Sequence, residues 1–255
     1  MARAAVRGRL ARPLQWRVAR LVAVRDETPT ARTLVLDVEG WSGHLAGQHV
    51  DVRLTAEDGY SAQRSYSIAS APGEHNLELT IQRLPDGEIS PFLARDYALG
   101  DPLEVRGPVG GWFVWRPEQR EPVLLLAGGS GVVPLMSMVR ARVADRDASA
   151  PFHLIYSVRT PADVYYADEL DNVHDTTDGV SVSLLFTREA PAGSPRPPHR
   201  LTAKDLRDLD ASTAASASAY VCGPTSYVES VADLLVDAGF AAARIRTERF
   251  GPTGG

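Results

Sequence analysis

One cysteine, Cys222, is all that this 255-residue sequence holds. A lone thiol excludes a disulfide framework within the chain, and it excludes a protein-bound iron–sulfur cluster, which needs about four cysteine ligands. No apolar run approaches the roughly 18 residues of a membrane span. The six histidines (His44, His49, His75, His153, His174 and His199) form no pair with metal-ligand spacing, so they read mostly as surface residues. No metal site is expected, and no Ser-His-Asp set stands out. A formal net charge of -5 gives no reason to expect nucleic acid as a partner.

The composition is that of a water-soluble globular chain long enough for two modest domains: 44% hydrophobic and 23% charged residues. Six arginines and no acidic residue fall within the first 20 positions. This basic arm, residues 1–13, lacks the apolar core and cleavage site of a secretory signal. It reads as a frayed tail, and the expected location is cytoplasmic.

From about residue 14 to residue 116 the pattern is β. Segments 16–24, 32–38, 49–54, 65–70, 77–83 and 102–105 are predicted strands, separated by Gly- and Pro-bearing turns. Such spacing predicts a six-stranded antiparallel barrel. One helix interrupts it over 90–97, with Ser90 as its N-cap and Pro91 at its first position. From residue 117 to 255 the texture changes. Val123-Leu124-Leu125-Leu126-Ala127 is a continuous apolar run, as expected of a strand buried on both faces. Strands 152–158, 180–186, 220–222 and 245–249 then alternate with helices 132–143, 166–173, 203–209 and 225–238, predicting a doubly wound parallel α/β domain.

The segment Arg64-Ser65-Tyr66-Ser67-Ile68-Ala69-Ser70 sets a ring on one side of a strand and a guanidinium at its start. It reads as an ordinary barrel strand, or as a surface for a planar ligand that bears phosphates. Gly128-Gly129-Ser130-Gly131 follows the buried strand and opens a helix, a placement that lets backbone N–H groups meet a pyrophosphate. Pro134 stands where a third glycine would complete the usual dehydrogenase fingerprint. No acidic residue ends the second strand of this half. Ser157 and Arg159 stand there, and Thr187-Arg188 end the third strand. Hydroxyls and arginines suit a 2′-phosphate, which favours NADPH over NADH, although Arg159 and Arg188 also read as solvated surface cations. Cys222-Gly223-Pro224 ends the fourth strand, where it lines the crevice or is simply buried and inert. Gly87-Glu88-Ile89-Ser90 offers a second anion site at the lone barrel helix.

Arg64-Ser65-Tyr66-Ser67, Gly87-x-x-Ser90, Gly107-Pro108-Val109-Gly110, Gly128-Gly129-Ser130-Gly131, Cys222-Gly223-Pro224 and Glu248-Arg249-Phe250 occur in one order along the chain. In that order and spacing the chain resembles the ferredoxin–NADP reductase superfamily, close to the reductase components of bacterial oxygenases, over about residues 14–251. The resemblance implies FAD on the barrel and NADPH (less readily NADH) on the α/β domain. It implies that Arg64 binds the FAD pyrophosphate together with Gly87, Ile89 and Ser90, that Tyr66 packs on the flavin, and that Ser65 belongs to the same strand motif. Thr80, Ile81 and Gln82 match the segment lining FAD on the neighbouring strand. Ser67, Cys222, Glu248 and Phe250 match the residues around the hydride-transfer site. Gly129, Ser130, Gly131, Ser157, Arg159, Thr187, Arg188, Gly223 and Pro224 fall to the pyridine nucleotide.

The function so implied is an NAD(P)H-dependent FAD reductase that passes single electrons to a separate protein, such as a ferredoxin, an oxygenase component, or a haem or molybdenum protein. Reduction of small acceptors (ferric chelates or free flavin) and a non-catalytic flavin electron-transfer subunit are the alternatives. Two departures from the family pattern stand out. Gly251–Gly255 follow the terminal aromatic, and the glycine loop reads GGSG where GGTG is common. Some relatives carry a [2Fe–2S] domain, whose ligands this sequence does not supply.

Overall fold

The computed structural model describes residues 14–56, 58–145, 147–206 and 215–251. The basic arm 1–13, residues 207–209 of the helix expected over 203–209, and the tail 252–255 lie outside the described residues.

The first half is built on one long strand. β1 (Trp16–Thr28) pairs β6 (Pro102–Val109) through its first five residues and β2 (Ala31–Val38) along the rest. Irregularities in the β1–β2 register fall between Leu21 and Ala23 and between Asp26 and Thr28. An extra residue of this kind bends a strand, and bending is what a closing sheet needs. With β3 (His49–Thr55), β4 (Ser61–Ser67) and β5 (Leu77–Gln82) the order is β4-β3-β6-β1-β2-β5. The open edges meet where Ile68 bridges Leu79 and the Ala69 N–H donates to the Glu78 carbonyl at 2.8 Å. The predicted strand 65–70 is thus shifted: pairing covers Ser61–Ser67, and the chain then bends toward β5. Leu21, Leu34, Leu36, Val50, Val52, Ile68, Leu79 and Val105 fill the interior.

Helix α1 (Ser90–Arg95) packs Leu93 into that core. Ser90 is not its cap. Ile89 holds the N-cap position, and Ser90 Oγ accepts from the Leu84 N–H at 3.1 Å.

The second half is a parallel sheet in the order β11-β10-β7-β8-β9. Its strands are β7 (Val123–Gly128), β8 (Phe152–Val158), β9 (Val180–Phe186), β10 (Ser218–Pro224) and β11 (Ile245–Phe250). β7 is buried at every residue, as its unbroken apolar run predicts. Helices α2 (Val132–Ala144) and α3 (Ala167–Thr176) pack on one face, and α4 (Thr225–Asp237) on the other. Of the helix expected over 203–209, a 3₁₀ turn at Ala203–Leu206 is described. The strands run parallel, but the strand order reverses between β7 and β10, which opens a crevice beyond their carboxyl ends.

α2 has almost no exposed face because the barrel covers its outer side. Ser137 Oγ donates to the Ser70 carbonyl at 2.7 Å. Arg140 donates to the Ala69 carbonyl at 2.9 Å and Glu78 Oε2 at 2.8 Å, and makes a two-pronged pair with Glu169 at 2.7 and 2.6 Å. The strand that the sequence singles out is therefore clamped at its far end by the second half of the molecule.

Tyr166 makes the second clamp. It sits before α3 in the left-handed region, at φ 57°. Such a conformation costs about 1 to 2 kcal/mol for a residue with a side chain. Its amide donates to Glu27 Oε2 at 3.0 Å, its hydroxyl bonds that of Thr80, and the Arg140 guanidinium lies 5.1 Å from its ring centre.

Candidate active site at the seam between the two sheets

β4 ends at Ser67 and β11 carries Glu248, and the two meet across the seam. Ser67 Oγ donates to Glu248 Oε1 at 3.5 Å, the long limit of hydrogen bonding. Parallel pairing of β10 with β11 sets Cys222 opposite Glu248, and Pro224 opposite Phe250. Burial pushes the Glu248 carboxyl up to about 7, while the Ser67 hydrogen bond pulls it down part of the way. Cys222 is 1% exposed. Burial first, and then the Glu248 charge, raise its thiol well above the ordinary range. Phe250, the last residue of β11, is 36% exposed. Tyr66 is half-buried near the end of β4, and burial raises its phenol to about 12 against the pull of Arg64.

The glycine loop meets this cluster backbone to backbone. A Cβ on Gly131 would fall 2.2 Å from the Cys222 carbonyl oxygen, so no side chain is tolerated there. Gly129 has φ +54° and is exposed, with Ser130 half-buried beside it at the N-terminal end of α2. A residue that sequence reasoning passes over completes the wall. Tyr227, in the first turn of α4, lays its ring against Gly128 and Gly223, where an added Cβ would stand 2.7 Å from Cδ1. Its signal was its place three residues after Pro224, one turn into the helix.

The buried Ser157 hydroxyl is a polar neighbour of the Tyr227 phenol, and neither oxygen has a partner in bonding geometry. Orphaned buried oxygens at a crevice fit a polar ligand above them. Close by, the Arg188 amide donates to the Arg159 carbonyl at 3.0 Å, and both guanidiniums are exposed without an ion pair among the described residues. Thr187 Oγ1 donates to the Val158 carbonyl at 3.1 Å.

Other expected residues stand elsewhere. Thr80 is buried, its hydroxyl bonding Thr33 at 2.7 Å and Tyr166. Ile81 is wholly buried in the barrel core, as is Ile89, and Gln82 is exposed. Neighbours on a strand face opposite sides, so Thr80 and Ile81 do not line one groove together. Ser65 donates to Asp51 at 2.7 Å, beside the Asp51–Arg106 pair. The histidines are not mostly surface residues: His44 is buried against the Ser70 carbonyl at 3.0 Å, and only His75 and His174 are exposed.

Two family models match. One describes an oxidoreductase FAD-binding domain and covers residues 19–114. The other describes an oxidoreductase NAD-binding domain and covers residues 125–233. The chain belongs to the ferredoxin–NADP reductase superfamily.

Among curated relatives of this superfamily member is the glycine betaine monooxygenase reductase subunit of Chromohalobacter salexigens. It is 33% identical over 209 residues, covering 81% of this chain and 56% of the relative. The NADH oxidoreductase HCR of Escherichia coli is 35% identical over 218 residues, covering 82% and 60%. The chain therefore spans little more than half the length of these relatives. Among solved structures, the Amycolatopsis cytochrome P450 reductase GcoB superposes with a TM-score of 0.82 at 26% identity, covering 97% of this chain and 73% of that one.

The residues at the seam fit both nucleotides of such a reductase. A half-buried ring and a guanidinium line the FAD-binding half. The NAD-binding half presents a glycine loop with no room for a Cβ at Gly128 or Gly131, and two orphaned hydroxyls. No group of three or more metal-ligating side chains occurs among the described residues. None of their helices is long and apolar enough to cross a membrane.

Proposed function

We propose that this chain takes a hydride from NADPH, or less readily NADH, onto FAD, and passes electrons one at a time to a separate protein acceptor. The convergence of Ser67, Cys222 and Glu248 at the meeting point of both halves carries this reading. When bound, FAD accepts the hydride from the nicotinamide and releases electrons singly.

The chain's own residues position and insulate that transfer. Tyr66 offers a ring to pack on the flavin, and Arg64 a guanidinium for its pyrophosphate, with Gly87 and Ser90 alongside. Ser67 directs its hydroxyl to the reacting edge. Glu248, its carboxyl raised to about 7 by burial, holds or releases a proton near neutral pH beside the Ser67 hydroxyl. It can therefore exchange that proton with a neighbouring group without solvent. Gly129, Ser130 and Gly131 present backbone N–H groups, and Cys222 with Gly223 and Pro224 floors the nicotinamide side. Phe250 covers the exposed flavin face and moves aside for the nicotinamide, a gating step. Ser157, Arg159, Thr187 and Arg188 surround the far end of the pyridine nucleotide, where two free guanidiniums support a 2′-phosphate.

Arg140 and Tyr166 hold the two halves in one arrangement, so that donor and acceptor rings stack without a search. The relatives' roles support a protein acceptor such as a ferredoxin, an oxygenase component, or a haem or molybdenum protein. A cytoplasmic location fits such partners. The test is acceptor choice: NADPH oxidation by the FAD-loaded protein is measured with a ferredoxin, with ferric chelates and with free flavin. Fast turnover with ferric chelates or free flavin alone would overturn the protein-acceptor reading.

A further inference from the structure

Arg64 and the Gly87–Ser90 segment are the two places assigned above to one pyrophosphate. A single carboxylate already bridges them. Glu88 Oε2 accepts from Arg64 Nη2 at 2.5 Å, and Glu88 Oε1 accepts from the Tyr60 hydroxyl at 2.9 Å. The other arm of Arg64 donates to the Gln63 carbonyl at 2.7 Å. Both terminal nitrogens of the guanidinium are therefore already engaged by acceptors from the chain itself. The side chains of the pair are 55% and 47% exposed, so it opens without unpacking the core.

We propose that Glu88 is an internal mimic of the FAD pyrophosphate, holding Arg64 across the groove, so that FAD binds only by displacing it. Two effects then oppose binding. Arg64 gives up a charge-assisted bond before it gains another, and the freed carboxylate stays close to a doubly negative pyrophosphate. Exposed ion pairs are weak and like charges at a surface are screened, so the combined effect is about tenfold in FAD affinity. The opposite sign would follow if Glu88 served to aim Arg64 at the cofactor. The inference rests on the assignment of Arg64 to FAD, and the experiment separates the two.

Full-length protein stripped of flavin is titrated with FAD, following the quenching of flavin fluorescence, for the wild type, Glu88→Gln, Arg64→Ala and the double variant. Both side chains are exposed, and far-UV circular dichroism verifies folding. Glu88→Gln binds FAD about tenfold tighter at low salt, and the gain shrinks as salt screens the charges. Arg64→Ala binds more weakly, and in that background the benefit of Glu88→Gln falls by at least half. If Arg64→Ala weakens binding but Glu88→Gln leaves it unchanged or weaker, the mimic is refuted and the role of Arg64 stands. If Arg64→Ala binds as the wild type does, the assignment of Arg64 fails and the mimic fails with it.

Discussion

Ser67 and Glu248 stand 181 residues apart in the chain and 3.5 Å apart in space. One closes the last paired turn of a barrel strand, and the other lies on the edge strand of a parallel sheet. No local sequence preference brings them together. The clamps at Arg140 and Tyr166 do.

Glu248 gives the protein a pH signature. Its carboxyl is raised from an ordinary 4.5 to about 7 by burial. The folded state therefore binds this proton more tightly than the unfolded state does. The stability contributed is fully present below about pH 4.5 and is lost as pH rises through about 7, by at most about 3 kcal/mol. Glu248→Gln should be flatter across that window in urea unfolding and more stable than the wild type at pH 8. Identical pH dependence in the two proteins would mean that Glu248 is not the buried acid described.

Ser67→Ala should slow reduction of bound FAD by NADPH more than about tenfold, a barrier increase of about 1.4 kcal/mol or more, while FAD remains bound. It also removes the hydroxyl that pulls the Glu248 carboxyl down. Any pH inflection in the reduction rate should then move above that of the wild type. Stopped-flow rates unchanged at every pH would remove Ser67 from the mechanism.

Much of the site is readable along the chain and part of it is not. The run Val123–Ala127 and the glycines after it announce a buried strand and a close backbone approach, because period and residue size act locally. Thr80 misleads for the same reason. Its alternation with Ile81 is visible, but which face meets the second half depends on Tyr166, 86 residues away. Tyr166 itself reads as an ordinary first residue of a helix; only the fold shows it in a left-handed corner that Glu27 and Thr80 hold in place. The Gly-Glu-Ile-Ser stretch reads as a candidate anion site, yet the reach of Glu88 back to Arg64 is a tertiary fact.

Arg140 tests the seam. It is 12% exposed, and its neutral truncation leaves Glu169 without its two-pronged partner and Glu78 with Arg25 alone. Arg140→Ala should destabilise the protein by about 3 kcal/mol in denaturant unfolding. A loss below about 0.5 kcal/mol would show that the network is ornamental to folding.

Arg159→Ala with Arg188→Ala should weaken NADPH binding and spare NADH, since both guanidiniums are exposed without an ion pair among the described residues. Isothermal titration with each nucleotide checks this. Equal losses for both would argue against 2′-phosphate recognition.

Cys222 should resist alkylation. Burial and the nearby Glu248 charge hold its thiol protonated, so iodoacetamide at pH 8 should react at least about tenfold more slowly than with free cysteine, until denaturant is added. Labelling at the free-thiol rate in the folded protein would contradict its burial in the crevice.

The proposed function requires the two halves to stack a flavin against a nicotinamide across their seam, and anaerobic mixing of the FAD-loaded protein with NADPH tests that most directly. The yellow flavin absorption should bleach in a single fast phase that Ser67→Ala slows. A protein that takes up no FAD, or whose flavin neither NADPH nor NADH bleaches, would contradict the account.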